Sequence, residues 1–318
     1  MARGSKVAQP PVGFIGLGNM GAPMVRCLAK AGHAVLAYDA RPGVAAALAA
    51  DAINDGRVRA ASSLAELGAA VAVVITMLPD SAIVRQVVLG TTPAPGLAAA
   101  LRAGSVVVDM SSSYPLDTRS LATALEPRGI AVIDAPVSGG VSKAMTGTLA
   151  IMAGGEATVL DRVVPLLEAM GQVHRTGALG SGHAIKALNN YVSAAGLIAV
   201  CEALAIAEAF GLDPATVTNV LNVSTGRNNT TENKAARYLI PRKYTSGFAL
   251  ALMTKDVGMA RALAADLGLE MAELGFVAAY LERAAVELGP AADHTAVMAL
   301  VAPEKRRGAR AKRKGATS

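Results

Sequence analysis

The segment Gly182-His183-Ala184-Ile185-Lys186-Ala187-Leu188-Asn189-Asn190 sets a lysine four residues before an asparagine in an otherwise apolar helical run. At 3.6 residues per turn, Lys186 and Asn190 share one helix face, one turn apart. An amine and an amide on an apolar stripe cost free energy unless something uses them. Lysine is also a side chain whose pKa falls readily on desolvation, which suits it to general acid/base work near neutrality. Taken alone, the pair is more often a lysine that snorkels to water beside an exposed amide. The rest of the chain decides between the two.

A second chemical signal is Gly16-Leu17-Gly18-Asn19-Met20-Gly21, a G-x-G-x-x-G run that follows an apolar strand (12–17) and opens a helical pattern. In that context Gly16 permits a tight turn, Gly18 lets backbone approach a pyrophosphate, and Gly21 allows close helix–sheet packing. The helix start offers N–H groups to phosphates. Asp39 ends the next strand, where a carboxylate would accept from the ribose hydroxyls of NAD and repel the 2′-phosphate of NADP. Arg41, just beyond, suits that phosphate, so NADP stays open beside NAD. Leu78-Pro79 and Ser111-Ser112 end two further strands on the same carboxyl edge, where cofactors sit in open α/β sheets. A third signal, Asp134-Ala135-Pro136-Val137-Ser138-Gly139-Gly140, follows the strand at 130–133. A serine and two glycines can present a hydroxyl and successive N–H groups to an anion. They also make an ordinary turn.

The elements that must position these residues alternate. Strand patterns at 34–38, 71–77, 105–109, 130–133, 148–153 and 171–174 have helical patterns between most of them, as at 43–50, 81–89, 117–126 and 156–170. This predicts βαβ units around a mostly parallel, doubly wound sheet of Rossmann type. Strand signals stop near Gly177–Gly182, and 183 to about 300 reads as helix, with Asp213-Pro214 a helix start. The expected organisation is a flexible amino terminus (1–10), a dinucleotide-binding domain (11–178), a helical substrate and dimerisation domain (179–302) and a disordered basic tail (303–318).

Residues 303–318 carry seven basic side chains and one acid, so they account for the whole net charge of +6 and leave residues 1–302 neutral. The folded part therefore has no bias toward nucleic acid, and the tail reads as a solvated extension. The apolar run 184–207 contains Lys186, Asn189, Asn190 and Glu202, and is read as a helix buried between domains rather than a membrane span. No apolar leader precedes the first strand, and Cys27 and Cys201 read as reduced packing residues of a cytoplasmic protein. The four histidines are scattered and form no metal motif.

Over residues 11–300 the chain resembles the β-hydroxyacid dehydrogenases, typified by 3-hydroxyisobutyrate dehydrogenase. The motifs that carry the resemblance are Phe14 to Gly21, Asp134 to Gly140, Gly147 to Gly155, Gly180-Ser181-Gly182 with Lys186, Asn189 and Asn190, and Phe248 with Lys255-Asp256. The resemblance implies hydride transfer between NAD and a small 3-hydroxyacid or its semialdehyde. It implies Lys186 as general acid/base, Asn190 holding the reacting oxygen, and Ser138, Gly139 and Gly140 binding the substrate carboxylate. Gly16, Leu17, Gly18, Asn19, Met20, Gly21, Asp39, Leu78, Pro79, Ser112 and Lys255 would hold the cofactor. A homodimer or homotetramer is expected. His183, Ser112-Ser113-Tyr114 and Arg227 to Thr231 depart from the family pattern, which touches the identity of the substrate and not the reaction type. Two other readings remain at this stage: an imine reductase of the same fold, which Lys186 argues against, and a non-catalytic dinucleotide-binding scaffold with a nucleic-acid-binding tail, which Lys186 and Asn190 together argue against.

Overall fold

The computed structural model describes residues 10–302; the expectations for the amino terminus, but for Pro10, and for the basic tail lie outside the described residues. The chain divides into two compact units, the first ending at Lys186 and the second beginning at Ala187.

The first unit is built on alternating burial. In β1 (Val12–Ile15) Phe14 faces one apolar cluster and Ile15 the other. In β7 (Val106–Asp109) Val106 and Val108 oppose Val107 in the same way. Strands buried on both faces need helices on both sides. Those helices are α1 (Gly21–Lys30), α6 (Gly140–Thr146) and α7 (Ala157–Leu167) on one face, and α3 (Leu64–Ala70), α4 (Ser81–Leu89) and α5 (Pro115–Leu125) on the other. The remaining strands are β2 (Val35–Tyr38), β3 (Val58–Ala60), β4 (Val73–Thr76), β8 (Ala131–Asp134), β9 (Val137–Ser138), β10 (Leu149–Gly154) and β11 (Gly171–Gly177), with α2 (Val44–Ala50) after β2. A small ribbon, β5 (Gly90–Thr91) and β6 (Ala94–Pro95), stands apart.

The main sheet runs β11-β10-β8-β7-β4-β1-β2-β3, with β9 beside β10. Its ladders are parallel except where β10 meets β8 and β9. The chain moves outward from β1 to β2 and β3, then returns to the other side of β1 at β4. The strand order therefore reverses between β1 and β4, the place where open α/β sheets bind their ligands.

The second unit is helical. Beyond α8 (Ser181–Phe210) it contains α9 (Pro214–Asn222), α10 (Asn229–Asn233), α11 (Leu250–Asp266), α12 (Ala272–Leu288) and α13 (Val297–Val301), around a core that includes Leu197, Cys201, Leu204, Met253, Val257 and Leu281. Asp213 caps α9 by accepting from Ala215 N and Thr216 N. The expectation of a buried 184–207 helix needs correction. This helix has the length and mean hydropathy (1.8) of a membrane span, but only 33% of that window is buried. Ile185, Leu188, Val192, Ile206 and Phe210 are exposed, and their spacing keeps them on one stripe. The apolar composition thus serves two faces of the helix, an inner one and an outer one.

Candidate active site

The glycine turn after β1 is tight for steric reasons. Gly16 has φ +96°, and a Cβ there would lie 2.3 Å from Met77 O and 3.0 Å from Leu78 Cδ2. A Cβ on Gly21 would strike Gly16 O. Gly18 has no neighbour within 4 Å of a Cβ position, so the backbone there faces open space. Beside it lies a cleft of about 330 Å³ lined by Leu17, Gly18, Asn19, Arg26, Arg41 and Val141. Helix α1 carries no acid in its first turn, so its positive end is uncompensated. An open glycine cradle at a helix start, with two arginines nearby, fits a dinucleotide pyrophosphate.

Asp39 is expected to accept from the ribose hydroxyls of NAD. In the structure both of its oxygens already accept hydrogen bonds. Leu17 N donates to Oδ2 at 2.8 Å, and Arg41 donates through its backbone N, Nε and Nη2 at 2.9, 2.9 and 3.0 Å. The Arg41 guanidinium is the main cause that holds the Asp39 carboxyl down to about 2. Arg41 reaches back across its own turn, yet its side chain remains 62% exposed. Leu78, Pro79 and Ser112 follow β4 and β7, and Leu78 N donates to Ser111 Oγ at 2.9 Å. The glycine turn, Asp39, Leu78, Pro79 and Ser112 are thus gathered at the carboxyl ends of neighbouring strands.

Ser138 ends β9, and Gly139 and Gly140 follow with φ +133° and +68°. Gly140 opens onto free space, whereas a Cβ on Gly139 would lie 2.6 Å from Lys143 Cδ. Lys143, one turn into α6, brings a cation to this loop; sequence reasoning missed it although the signal was local.

The largest omission of the sequence reading lies at the start of α8. Asp134, at the end of β8, accepts from Gly180 N through Oδ1 and from His183 N through Oδ2, both at 2.8 Å. Gly182 allows this approach, since a Cβ there would meet Met152 O at 2.1 Å and Asp134 Oδ2 at 2.9 Å. The His183 ring is fully buried. Its Nδ1 lies 2.8 Å from Thr118 Oγ1 and its Nε2 3.1 Å from Ser111 O, a carbonyl that only accepts, so Nε2 donates. Asp109 and Asp134 carboxylates stand 3.8 and 3.9 Å from the ring nitrogens. Asp109 in turn accepts from Thr76 Oγ1, Ser111 N and Ser113 Oγ. This network ties the first turn of α8 to the ends of β4, β7 and β8. Lys186 follows three residues after His183 and is buried, at 8% exposure.

In the second unit, Asn190 is also buried. Its Nδ2 donates to Asp256 Oδ2 at 2.5 Å, and its Oδ1 accepts from Asn189 Nδ2 at 3.1 Å. These bonds fix which way the amide points. Lys255 Nζ lies 3.8 Å from Asp256 Oδ1. Asp256 carries no expected role from the Lys255-Asp256 motif, because a carboxylate next to a lysine reads as its ion-pair partner until α8 is placed beside it.

Residues 11–180 match the family described as the NAD binding domain of 6-phosphogluconate dehydrogenase. Residues 180–301 match the family described as the NAD-binding of NADP-dependent 3-hydroxyisobutyrate dehydrogenase. The chain is 36% identical to 2-(hydroxymethyl)glutarate dehydrogenase of Eubacterium barkeri over 254 residues, covering 78% of this chain and 80% of that protein. It is 37% identical to the mitochondrial 3-hydroxyisobutyrate dehydrogenase of Mus musculus over 264 residues, 81% of this chain and 76% of that one. Among solved structures, the 3-hydroxyisobutyrate dehydrogenase of Mycobacterium tuberculosis with L-serine superposes with a TM-score of 0.81 at 33% identity, covering 92% of this chain and 99% of the other. An imine reductase from Myxococcus stipitatus, at 17% identity and a TM-score of 0.61, shares the fold alone. With its glycine cradle at the sheet's reversal point and a buried lysine on the helix that follows, the chain belongs to the β-hydroxyacid dehydrogenase family of NAD(P)-dependent oxidoreductases.

Proposed function

We propose that the protein interconverts a small 3-hydroxyacid and its semialdehyde, with Lys186 as the proton-transfer group. When bound, the nicotinamide supplies the hydride acceptor or donor. In oxidation the Lys186 amine takes the hydroxyl proton as the C–H bond of the carbinol breaks; in reduction the ammonium returns it. Asn190, its amide oriented by Asp256 and Asn189, holds the reacting oxygen. Ser138, Gly139 and Gly140 bind the substrate carboxylate, with Lys143 as a nearby cation. Gly16 to Gly21, Asp39, Leu78, Pro79, Ser112 and Lys255 hold the dinucleotide.

The observation that carries this reading is the burial of Lys186 three residues beyond a helix start anchored by Asp134 and His183. A proton-transfer group must be held to within about half an ångström for its contribution of about 10² to 10⁴ in rate. Lys186→Ala should lose about that much in kcat while NAD binding persists. Lys186→Arg should not recover it, because a guanidinium stays protonated. A loss below about tenfold, with chemistry rate-limiting, would move the role elsewhere.

NAD is the proposed preference, on the ground of Asp39. The exposed apolar stripe of α8, with Val192 at 67%, Ile206 at 69% and Phe210 at 82%, supports a homodimer or homotetramer that covers it. Val192→Glu with Ile206→Glu should shift the mass in solution toward the monomer. The two free cysteines suit a reducing compartment, and we assign the cytoplasm. The neutral charge of residues 1–302 supports no nucleic-acid partner for the folded part.

A further inference from the structure

Helix α8 carries a third polar residue on the stripe of Lys186 and Asn190. Ser193 follows Asn190 by three residues and Lys186 by seven, which returns it to the same face about 4.5 Å further along the axis than Asn190. Across from it, Lys234 Nζ donates to Ser193 Oγ at 3.4 Å. Among the described residues no carboxylate lies within ion-pair distance of that ammonium.

Lys234 sits one turn after Thr230, and Lys234 N donates to Thr230 O at 3.0 Å, so the two side chains leave the same face. Thr230 is 1% exposed, and its Oγ1 is buried with no hydrogen-bond partner. Gly196 of α8 lies beside this segment, and a Cβ there would sit in ordinary van der Waals contact with Asn228 Cγ, at 3.5 Å. The Lys234 ammonium and the Ser193 hydroxyl are thus in contact, the Thr230 hydroxyl lies one turn back on the face that Lys234 leaves, and the Ser193 proton remains available while its oxygen accepts from Lys234. A buried ammonium with two unspent hydroxyls lacks only an acceptor carrying negative charge.

Burial is the main cause that pulls Lys234 down to about 8, and Asp293 and Cys201 offset it only in part. The desolvation cost of the ammonium is thus not repaid within the chain. Close by, His294 Nε2 is a further buried atom without a partner.

We propose that Ser193, Thr230 and Lys234 form a subsite for a second carboxylate of the substrate, so that the preferred substrate is a hydroxy-dicarboxylate rather than a branched monocarboxylate. The inference rests on Lys186 and Asn190 holding the carbinol end. The axial offset between Asn190 and Ser193 matches an acid group carried on a chain of about two to four carbons. An aliphatic substrate end would leave the three donors unmatched. A carboxylate would receive an ion pair and two hydrogen bonds at once.

The test compares 2-(hydroxymethyl)glutarate with 3-hydroxyisobutyrate at saturating NAD, using the full-length protein. The unmodified protein should favour the dicarboxylate in kcat/KM by about tenfold or more. In Lys234→Met the ratio of the two kcat/KM values should fall at least tenfold, mostly through KM of the dicarboxylate. Thr230→Val should lower it by a smaller factor, and Lys234→Arg should retain part of it. Glutarate, which has no carbinol, is the second probe. With NAD present it should raise Tm of the unmodified protein but not of Lys234→Met. A ratio that Lys234→Met leaves unchanged overturns the subsite, as does a native preference for the monocarboxylate. If neither hydroxyacid is turned over, the dehydrogenase reading fails by itself, and the glutarate shift in Tm decides the subsite.

Discussion

Two buried polar clusters in this protein are built to opposite rules. Around Asp134, Asp109 and His183 the oxygens and ring nitrogens meet partners supplied by the first unit itself. Around Lys234 and Thr230 in the second unit they do not: one hydroxyl and one imidazole nitrogen are orphaned, and an ammonium is answered only by a serine. A buried network that satisfies itself contributes stability and fixes geometry. A cluster that leaves donors unspent costs stability until a ligand completes it. The contrast separates groups that build the site from groups that read its ligand.

The largest effect expected from this contrast is at Asp134. Asp134→Ala removes the acceptor of two backbone N–H groups and one of the two carboxylates beside a buried imidazole. It should lower the unfolding free energy by about 3–5 kcal/mol, read from urea denaturation. A loss under about 1 kcal/mol would break the comparison, because it would mean the network is not holding α8.

Lys234→Met should act in the opposite direction. Burial holds Lys234 down to about 8 in the folded state, against an ordinary lysine value of about 10.5, so the native lysine gives up stability as pH falls toward 8. Below that the deficit is constant. The variant should therefore exceed the unmodified protein by about 1–3 kcal/mol at pH 7, with the gap closing as pH rises from 8 to beyond 10. The same titration predicts that kcat/KM for a dicarboxylate declines above about pH 8 and that for a monocarboxylate does not. The groups that bear on Lys234 are Asp293 and His294 from the turn before α13, and Ser193 and Cys201 from α8. His294 is held down to about 4, chiefly by burial, and stays neutral through this range.

Asp39 tests an intermediate case, a carboxylate satisfied by the chain yet placed at a ligand's edge. Asp39→Ala should cost about tenfold in the ratio of kcat/KM for NAD over NADP, because it removes the negative charge and releases Arg41. An NADP preference in the unmodified protein would show that Arg41 leaves Asp39 when the cofactor binds. The smallest effect belongs to single hydroxyls. Ser113→Ala breaks a bond to buried Asp109 and should cost about 1–2 kcal/mol, whereas Thr230→Val, which breaks none within the chain and removes an orphaned buried hydroxyl, should be neutral to stabilising by about 1 kcal/mol.

Local signals were legible in the sequence and distant ones were not. The glycine turn, the pair Lys186 and Asn190, and the Asp213 cap each depend on residues within a turn or two of one another. The alternation of strands and helices likewise foretold a doubly wound sheet. The strand β3, with Arg59 between Val58 and Ala60, is too short and polar to show a pattern. The helix α3 gave a usable sign that the sequence reading passed over: Ser63 accepts from Glu66 N at its start. The polar clusters were out of reach for another reason. Asp134 meets His183 49 residues later, and Ser193 meets Lys234 41 residues later. No period or spacing records such pairings; only the folded strands and helices bring them together.

The anchoring of α8 by Asp134 also sets a phase. The helix is 30 residues long, about 45 Å, and each residue advances it by about 100°. Gly180 and His183, held by the same carboxylate, define the zero of that rotation. Lys186, Asn190 and Ser193 are then readings on a dial. Deleting one residue between His183 and Lys186 would preserve composition, apolar content and helix propensity almost unchanged. It would nevertheless turn every later side chain by more than a quarter of a revolution, carrying the amine off its face and both apolar stripes out of their places. Along this helix, residue count is constrained more tightly than residue kind.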